Sequence, residues 1–291
     1  MRHLAALQAI AEERTFARAA LRLGYTQSAI SQQVAALERI VGTRVLDRPP
    51  GARPRLTEAG TLLLRHAAAM LARVSAAEAD VDALADGTLR VGTYESIGAR
   101  ILPAILQRFG AAWPHARLAL REAAGDAELL GLVERGELDL AFTMLPALEG
   151  PFEAVELLRD PYVLAVAAGS ELAGRARPPS LEEIAALPLI AFRSCRNEQR
   201  VEAQLRAHGV APQVVFRSDH NGTVQGLVAA GVGVALVPRL TMDAADERTA
   251  LIELDGALAP RRLGLVWHRD RNPPAAAAGF VDIARSVCRD F

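Results

Sequence analysis

Lysine is missing altogether: all 33 basic residues of the 291-residue chain are arginines. That uniformity reads as GC-rich codon usage rather than as function. Only two cysteines occur, Cys195 and Cys288, far apart, which excludes a disulfide framework and a cysteine zinc site. Cys195 reads as an ordinary thiol, small and apolar in character. No apolar run approaches the length of a bilayer-spanning helix, since the longest are broken by Arg, Glu or Gly. The first residues, MRHLAALQAIAEERTF, carry acids and no signal-cleavage pattern. A soluble cytoplasmic protein with no membrane partner is expected. Catalytic patterns are also lacking. The six histidines show no metal-ligand spacing and no HExxH. Gly231-Val232-Gly233 lacks the third glycine of a dinucleotide loop and precedes a strand instead of following one. Tyr94-Glu95-Ser96-Ile97-Gly98 has Tyr94 where a nucleophile elbow needs glycine. No metal, no cofactor and no enzymatic activity are expected.

What is present begins with length. A chain of 291 residues is too long for one ordinary core, and 51% hydrophobic residues suffice for several. The net charge of −1 conceals an asymmetry. Residues 1–57 hold nine arginines against four acids (Glu12, Glu13, Glu38, Asp47), a balance of +5 that leaves −6 for the rest. A small basic module on an acidic body suggests that the module alone meets a polyanion.

Three helical patterns follow one another in that module. Leu4, Leu7 and Ile10 share a face of the first, over about Leu4–Glu13. Thr15 is a good N-cap for the second, where Phe16, Ala19, Ala20 and Leu23 form a core stripe. Gly24 and Tyr25 turn the chain. Thr26 then caps a third helix with Ile30, Val34, Leu37 and Val41 on its buried side. Two short helices joined by such a turn are helix-turn-helix geometry. Ser28, Gln32 and Ala35 point away from the buried stripe, Ser31 flanks them, and Gln27 sits in the first turn, the part of a recognition helix that enters the major groove first. Gln can pair with adenine through two hydrogen bonds, and Ser can reach a base or a phosphate. Gln33 completes the polar set. Beyond Gly42, two short extended pieces around Pro49-Pro50-Gly51 read as a wing, with Arg48, Arg53 and Arg55 placed for phosphates or a minor groove. The candidate DNA contacts are Thr26, Gln27, Ser28, Ser31, Gln32, Gln33, Arg48, Arg53 and Arg55.

The order of Phe16, Ala19-Ala20, Leu23, Thr26-Gln27-Ser28-Ala29-Ile30-Ser31, Leu37-Glu38, Gly42, Arg48 and Leu56-Thr57-Glu58-Ala59-Gly60 resembles the LysR-type transcriptional regulators. Ser28 stands where that family usually has Pro, Arg14 where a small residue is common, Gln32 where Arg is frequent and Leu46 where Phe is common. These departures bear on base preference, not on the module. Gly136-Glu137-Leu138-Asp139-Leu140-Ala141 and the run Leu227–Pro238 look like further family signatures, so the resemblance covers essentially the whole chain.

From Glu58 to Leu84, Leu63, Ala67, Met70, Val74, Ala77, Val81 and Leu84 alternate in steps of four and three, a heptad repeat. The expected role is a helix–helix seam joining two copies, and the resemblance implies the same, often within a tetramer. A dimer would let two recognition helices read two half-sites.

After Gly87, strand and helix patterns alternate, which indicates an α/β body with mainly parallel sheets. Strands are expected at 89–92, 116–121, 138–143, 162–167, 188–192, 213–217, 233–237 and 263–267. Helices are expected over Ser96–Phe109, 126–135, 180–186, 197–208, 221–230 and 275–289. The resemblance implies a two-lobed, Rossmann-like effector domain of the periplasmic-binding-protein type II kind, with crossings near Pro161 and Leu263. The expected fold class is thus α/β with an N-terminal all-α winged helix-turn-helix. The expected divisions are 1–57, a linker helix 58–86, and 87–291, with one lobe of about 87–161 plus 264–291 and another of about 162–263.

Ligands of open α/β sheets bind at the carboxyl ends of strands, near helix N-termini. This selects Thr93, Tyr94 and Ser96, then Gly125 and Asp126, then Phe142, then Phe192, Arg193, Ser194 and Asn197, and finally His220, Asn221 and Thr223. Asp126 and Asn221 would equally serve as N-caps without any ligand. Glu95 and Asp126 would disfavour a strongly anionic effector, so its charge stays open. The function expected is a DNA-binding transcription regulator modulated by a small-molecule effector. Its partners would be double-stranded promoter DNA, a second copy and, as a further candidate, RNA polymerase. The rival readings are a solute-binding or enzymatic α/β protein with a fused helical module, and a structural nucleoid protein.

Overall fold

The computed structural model describes residues 2–47, 53–67, 70, 74, 87–193, 196–271 and 273–291. The chain forms two compact units, Met1–Ala79 and Asp80–Phe291.

The smaller unit holds α1 (Arg2–Glu13), α2 (Phe16–Leu23), α3 (Gln27–Val41), β1 (Leu46–Asp47), β2 (Arg55–Leu56) and a further helix, α4, over 58–67, with 70 and 74 also helical. Thr15 and Thr26 are the N-caps expected, their hydroxyl oxygens accepting from the Arg18 and Ala29 amides at 3.2 Å each. The core gathers Leu7 and Ile10, Ala19 and Ala20, Ile30, Val34 and Leu37, with Leu63 and Leu64 of α4 packed against it. Val41 departs from the expected stripe and is exposed, because α3 outruns the core near its C-terminal end. The wing forms as antiparallel β1–β2, Leu46 facing Leu56.

Several signature residues turn out to be braces for this wing. Glu38 Oε1 accepts from the Val45 and Leu46 amides at 3.0 and 3.3 Å, tying α3 to β1. Thr57 Oγ1 donates to the Arg44 carbonyl at 2.8 Å and accepts from the Gly60 amide at 3.0 Å, capping α4. A Cβ on Gly60 would lie 2.0 Å from the Val45 carbonyl oxygen, so no larger residue fits that approach.

The larger unit contains β3 (Thr88–Thr93), α5 (Glu95–Arg100), α6 (Leu102–Ala112), β4 (Arg117–Glu122), α7 (Asp126–Glu134), β5 (Leu140–Leu145), β6 (Phe152–Asp160), β7 (Tyr162–Ala167), α8 (Leu181–Ala185), β8 (Pro188–Phe192), α9 (Arg196–Ala207), β9 (Gln213–Ser218), α10 (Asn221–Ala229), β10 (Ala235–Pro238), β11 (Thr249–Glu253), β12 (Arg261–His268) and α11 (Ala275–Cys288). The first lobe is a five-stranded sheet in the order β4-β3-β5-β12-β6. The second is built on β10-β7-β11 and β8-β9, joined by a parallel bridge between Leu189 and Val234. Apolar clusters cover the sheets, with Phe142 and Phe280 edge-on in the first lobe at 6.5 Å between ring centroids.

Two expectations need correction. The sheets are mixed rather than mainly parallel: β3 pairs parallel with β4 and β5, and β8 with β9, but β12 runs antiparallel to β5 and β6, and β7 to β10 and β11. The strands that pass between lobes return against the direction of their neighbours. The single helix expected over Ser96–Phe109 is two, broken at Ile101. Pro103 has no amide to donate and its ring crowds the preceding turn, so one continuous helix cannot pass through it. Strands β6 and β11, each at an edge of its sheet, had not been expected, and β12 begins at Arg261, before the crossing expected near Leu263.

Candidate functional sites

In the smaller unit, Gln27, Ser28 and Gln32 are exposed along one side of α3, and Ser31 is half-buried beside them. Helix α3 can present them because Ile30, Val34 and Leu37 anchor its other side. Thr26 is exposed, but its hydroxyl is engaged in capping. Gln33 is half-buried, with its Oε1 enclosed and unpartnered among the described residues, so its amide faces inward. Arg53 and Arg55 are exposed on the wing; Arg48 lies outside the described residues. Arg53, Arg55 and Arg14 line one groove of about 380 Å³ between α1 and the wing. The acids of this unit are largely spent within it. Glu13 pairs with Arg18 at 3.0 Å and Glu12 with Arg22, which leaves the positive surplus to the wing and its surroundings.

In the larger unit, a cleft of about 320 Å³ opens between the lobes at the carboxyl ends of β3, β4, β5, β8 and β9. Tyr94, Ser96, Gly125, Asp126, Phe192, Arg193, His220 and Asn221 line it, as the strand-end rule predicts. Other candidates lie elsewhere. Thr93 is buried at the end of β3, Phe142 is enclosed in the core, and Thr223 is exposed on α10 away from the lining. Ser194, like Cys195, lies outside the described residues, and Asn197 lies on α9. Glu122, Met144, Thr241 and Arg261 also line the cleft and had not been singled out. Met144 obeys the same strand-end rule two residues beyond Phe142 along β5. Arg261 opens the strand that returns from the second lobe, and only the sheet order places it near Ser96.

The polar groups of the cleft form a connected set. Arg261, 5% exposed, donates to Asp160 at 2.5 and 3.1 Å and to Ser96 Oγ at 3.2 Å, with the Tyr94 ring 5.8 Å from its guanidinium carbon. Burial pushes the Asp160 carboxyl above its ordinary value, and the Arg261 charge and the Leu240 amide bring it only part of the way back. Asp126 is no N-cap: its carboxylate accepts from the Met144 amide at 3.3 Å, tying α7 to β5. Asn221 is no N-cap either, since it is the first helical residue of α10 and follows His220. Its own amide donates to Glu95 at 3.0 and 3.2 Å. Arg193 pairs with Asp219 at 3.1 Å. The cleft offers hydroxyls, amides, carboxylates and the apolar surfaces of Phe192 and Met144. Such a mixture holds and orients a small molecule. Among the described residues no group of His, Cys, Asp and Glu is arranged to hold a metal ion.

The bacterial regulatory helix-turn-helix model of the lysR family matches residues 1–61, and the LysR substrate binding domain model matches 82–289. A probable hydrogen peroxide-inducible genes activator of Mycobacterium avium is 33% identical over 273 residues, 91% of this chain and 86% of that protein. The HTH-type transcriptional regulator CbbR of Rhodospirillum rubrum is 30% identical over 298 residues, 99% of this chain and 97% of its own. Full-length CbnR, solved in complex with its target DNA, shares the fold at a TM-score of 0.62 and 24% identity, covering 98% of this chain and 99% of its own.

Proposed function

Because the chain belongs to the LysR family of bacterial regulators, we propose that α3 and the wing read a promoter whose occupancy or activation is set by a small molecule held between the two lobes. The observation that carries this reading is the exposed row Gln27, Ser28 and Gln32 on a helix anchored by its opposite side. Those side chains reach base edges, while Arg48, Arg53 and Arg55 follow the phosphates. CbnR has been solved on its target DNA, which supports the same docking here. Two copies joined through α4 would present two recognition helices to two half-sites. A ligand that binds one arrangement of the copies better than another shifts the population toward it. RNA polymerase is the natural further partner of such a complex in the cytoplasm, and the protein regulates rather than turns over its ligand.

Mobility shift on DNA flanking its own gene is the direct test, with footprinting to locate the site. A selective, salt-sensitive shift is expected, and its absence overturns the reading. Gln27→Ala should weaken specific binding by about 1–3 kcal/mol while leaving non-specific binding nearly unchanged. Equal loss of both would remove base readout from Gln27.

Hydrogen peroxide is a second candidate signal, favoured by the name of the mycobacterial relative. Burial pushes the Cys288 thiol up to about 11, which keeps it unreactive. Oxidation would therefore fall on Cys195, whose thiol would become a sulfenic acid as peroxide is reduced to water. Mass spectrometry after peroxide treatment decides: one added oxygen on Cys195 supports this signal, and an unmodified Cys195 removes it.

A further inference from the structure

Helix α5 meets the opposite lobe twice, through an Arg100–Asp243 ion pair at 3.3 Å and through Glu95. Glu95, the first residue of α5, accepts from the backbone amide of Asn221 through both carboxylate oxygens, at 3.0 and 3.2 Å. Asn221 begins α10, a nine-residue helix of the opposite lobe, and the N-cap residue His220 makes no side-chain capping bond. First-turn amides have no partner inside their helix and carry the positive end of its dipole. In a two-lobed cleft this is where an anionic ligand group would be received. Here the protein's own carboxylate is received.

The contact also divides space. Glu95, Asn221 and Thr241 line both the 320 Å³ cleft and a second chamber of about 300 Å³. The charges on the cleft side point the same way. Arg193 is paired with Asp219 and Arg261 with Asp160, so both lining cations already have a carboxylate. Glu122 has no ion pair among the described residues. An incoming carboxylate or phosphate would find the helix end filled and an uncompensated negative charge beside it.

We propose that Glu95 sets the charge selectivity of the cleft: as a resident carboxylate at the α10 N-terminus it turns away anions, and the effector is a small uncharged or cationic molecule whose donors face Glu95 and Glu122. This rests on the reading of the cleft as the effector site.

Benzoate, benzamide and benzylamine are near-equal in shape and differ in charge. With inorganic phosphate added, they make a probe set for the full chain, read by calorimetry and thermal shift at fixed ionic strength. Wild type should be indifferent to benzoate and phosphate. Glu95→Gln, which keeps size and removes charge, should bind them about tenfold more tightly. Glu95→Asp keeps the charge on a shorter arm. It should stay blind to both anions, whereas a merely structural bridge would open the cleft equally in both variants. Benzoate bound equally by wild type and Glu95→Gln overturns the proposal, as does a folded Glu95→Gln protein that ignores both anions. Should Glu95→Gln fail to fold, wild type still decides: benzamide or benzylamine bound while the near-isosteric benzoate is refused upholds the proposal, and benzoate or phosphate saturating the cleft overturns it. The two readings fail separately. A carboxylate that binds the wild-type cleft and changes DNA binding upholds the effector site and removes the role of Glu95. Anion gain in Glu95→Gln, with no uncharged or cationic metabolite acting on wild type, does the reverse.

Discussion

Arg14 holds a φ of 57°, a left-handed backbone that side-chain-bearing residues seldom adopt. It follows α1 directly, and its amide closes that helix on the Ile10 carbonyl at 2.8 Å. Glycine is the usual occupant of such a position, because no Cβ meets the carbonyl. Arg14→Gly should therefore stabilise the smaller unit by about 1 kcal/mol, seen as a raised thermal midpoint. An unchanged or lowered midpoint would mean that the arginine side chain returns more than its backbone costs. At this scale the sequence was legible where one side chain bonds its own neighbourhood, as the caps Thr15 and Thr26 do. It was not legible where a partner comes from far along the chain. Asn221 and Asp126 were plausible caps, yet Glu95 meets the first and the Met144 amide takes the second. Arg261 lies 165 residues from its hydroxyl partner Ser96, and no local pattern announces that.

Elements were read well where burial imposes a period. Strands β7 and β8 lie where the apolar runs ended, at 162–167 and 188–192, because their sides are packed and every residue is selected for it. Edge strands β6 and β11 carry half-exposed, mixed residues, so their signal is weak. Signature residues of the α/β body prove to hold elements together. Asp139 receives Arg90 through two side-chain bonds at 2.8 and 3.1 Å, and a Cβ on Gly233 would fall 2.4 Å from the Pro188 carbonyl oxygen. The Asp160–Arg261 pair joins the last residue of β6 to the first of β12, directly opposite each other in register. Arg261→Met alone would strand a buried carboxylate and should cost about 3–5 kcal/mol in denaturant unfolding. Adding Asp160→Leu should recover most of it, since an apolar pair leaves no charge behind. A double variant as unstable as the single one would show that the hydrogen bonds to Ser96 and Leu240, not the charge, hold this point.

For the whole molecule, the heptad repeat supplied the expectation of a paired chain. Of its positions, Leu63 packs against the helix-turn-helix core and Ala67 is fully buried, while Met70 and Val74 are 45% and 41% exposed within their own chain. Ala77, Val81 and Leu84 lie outside the described residues. The repeat thus changes role along its length, from intramolecular packing to apolar side chains without cover. Met70→Glu with Val74→Glu should convert the proposed dimer to monomer by light scattering and weaken operator binding by the loss of the second half-site. A dimer that survives both changes would place the seam elsewhere. The pairing proposed for this helix is legible in sequence as a period, but the surface that would cover Met70 and Val74 is not, because it would lie on another copy.

The two strand crossings meet where Asp160 and Arg261 clasp, and Leu240 of the second lobe bonds the same carboxylate. That point would be the fulcrum of any rotation between the lobes. Such a rotation would leave it nearly still and move the far rims of the sheets most, as any lever does. Ser96 sits one hydrogen bond from the fulcrum and faces the cleft. The effector proposed for the cleft would press there on the short arm, and a small displacement at Ser96 would become a wider arc at the edge strands β4 and β9.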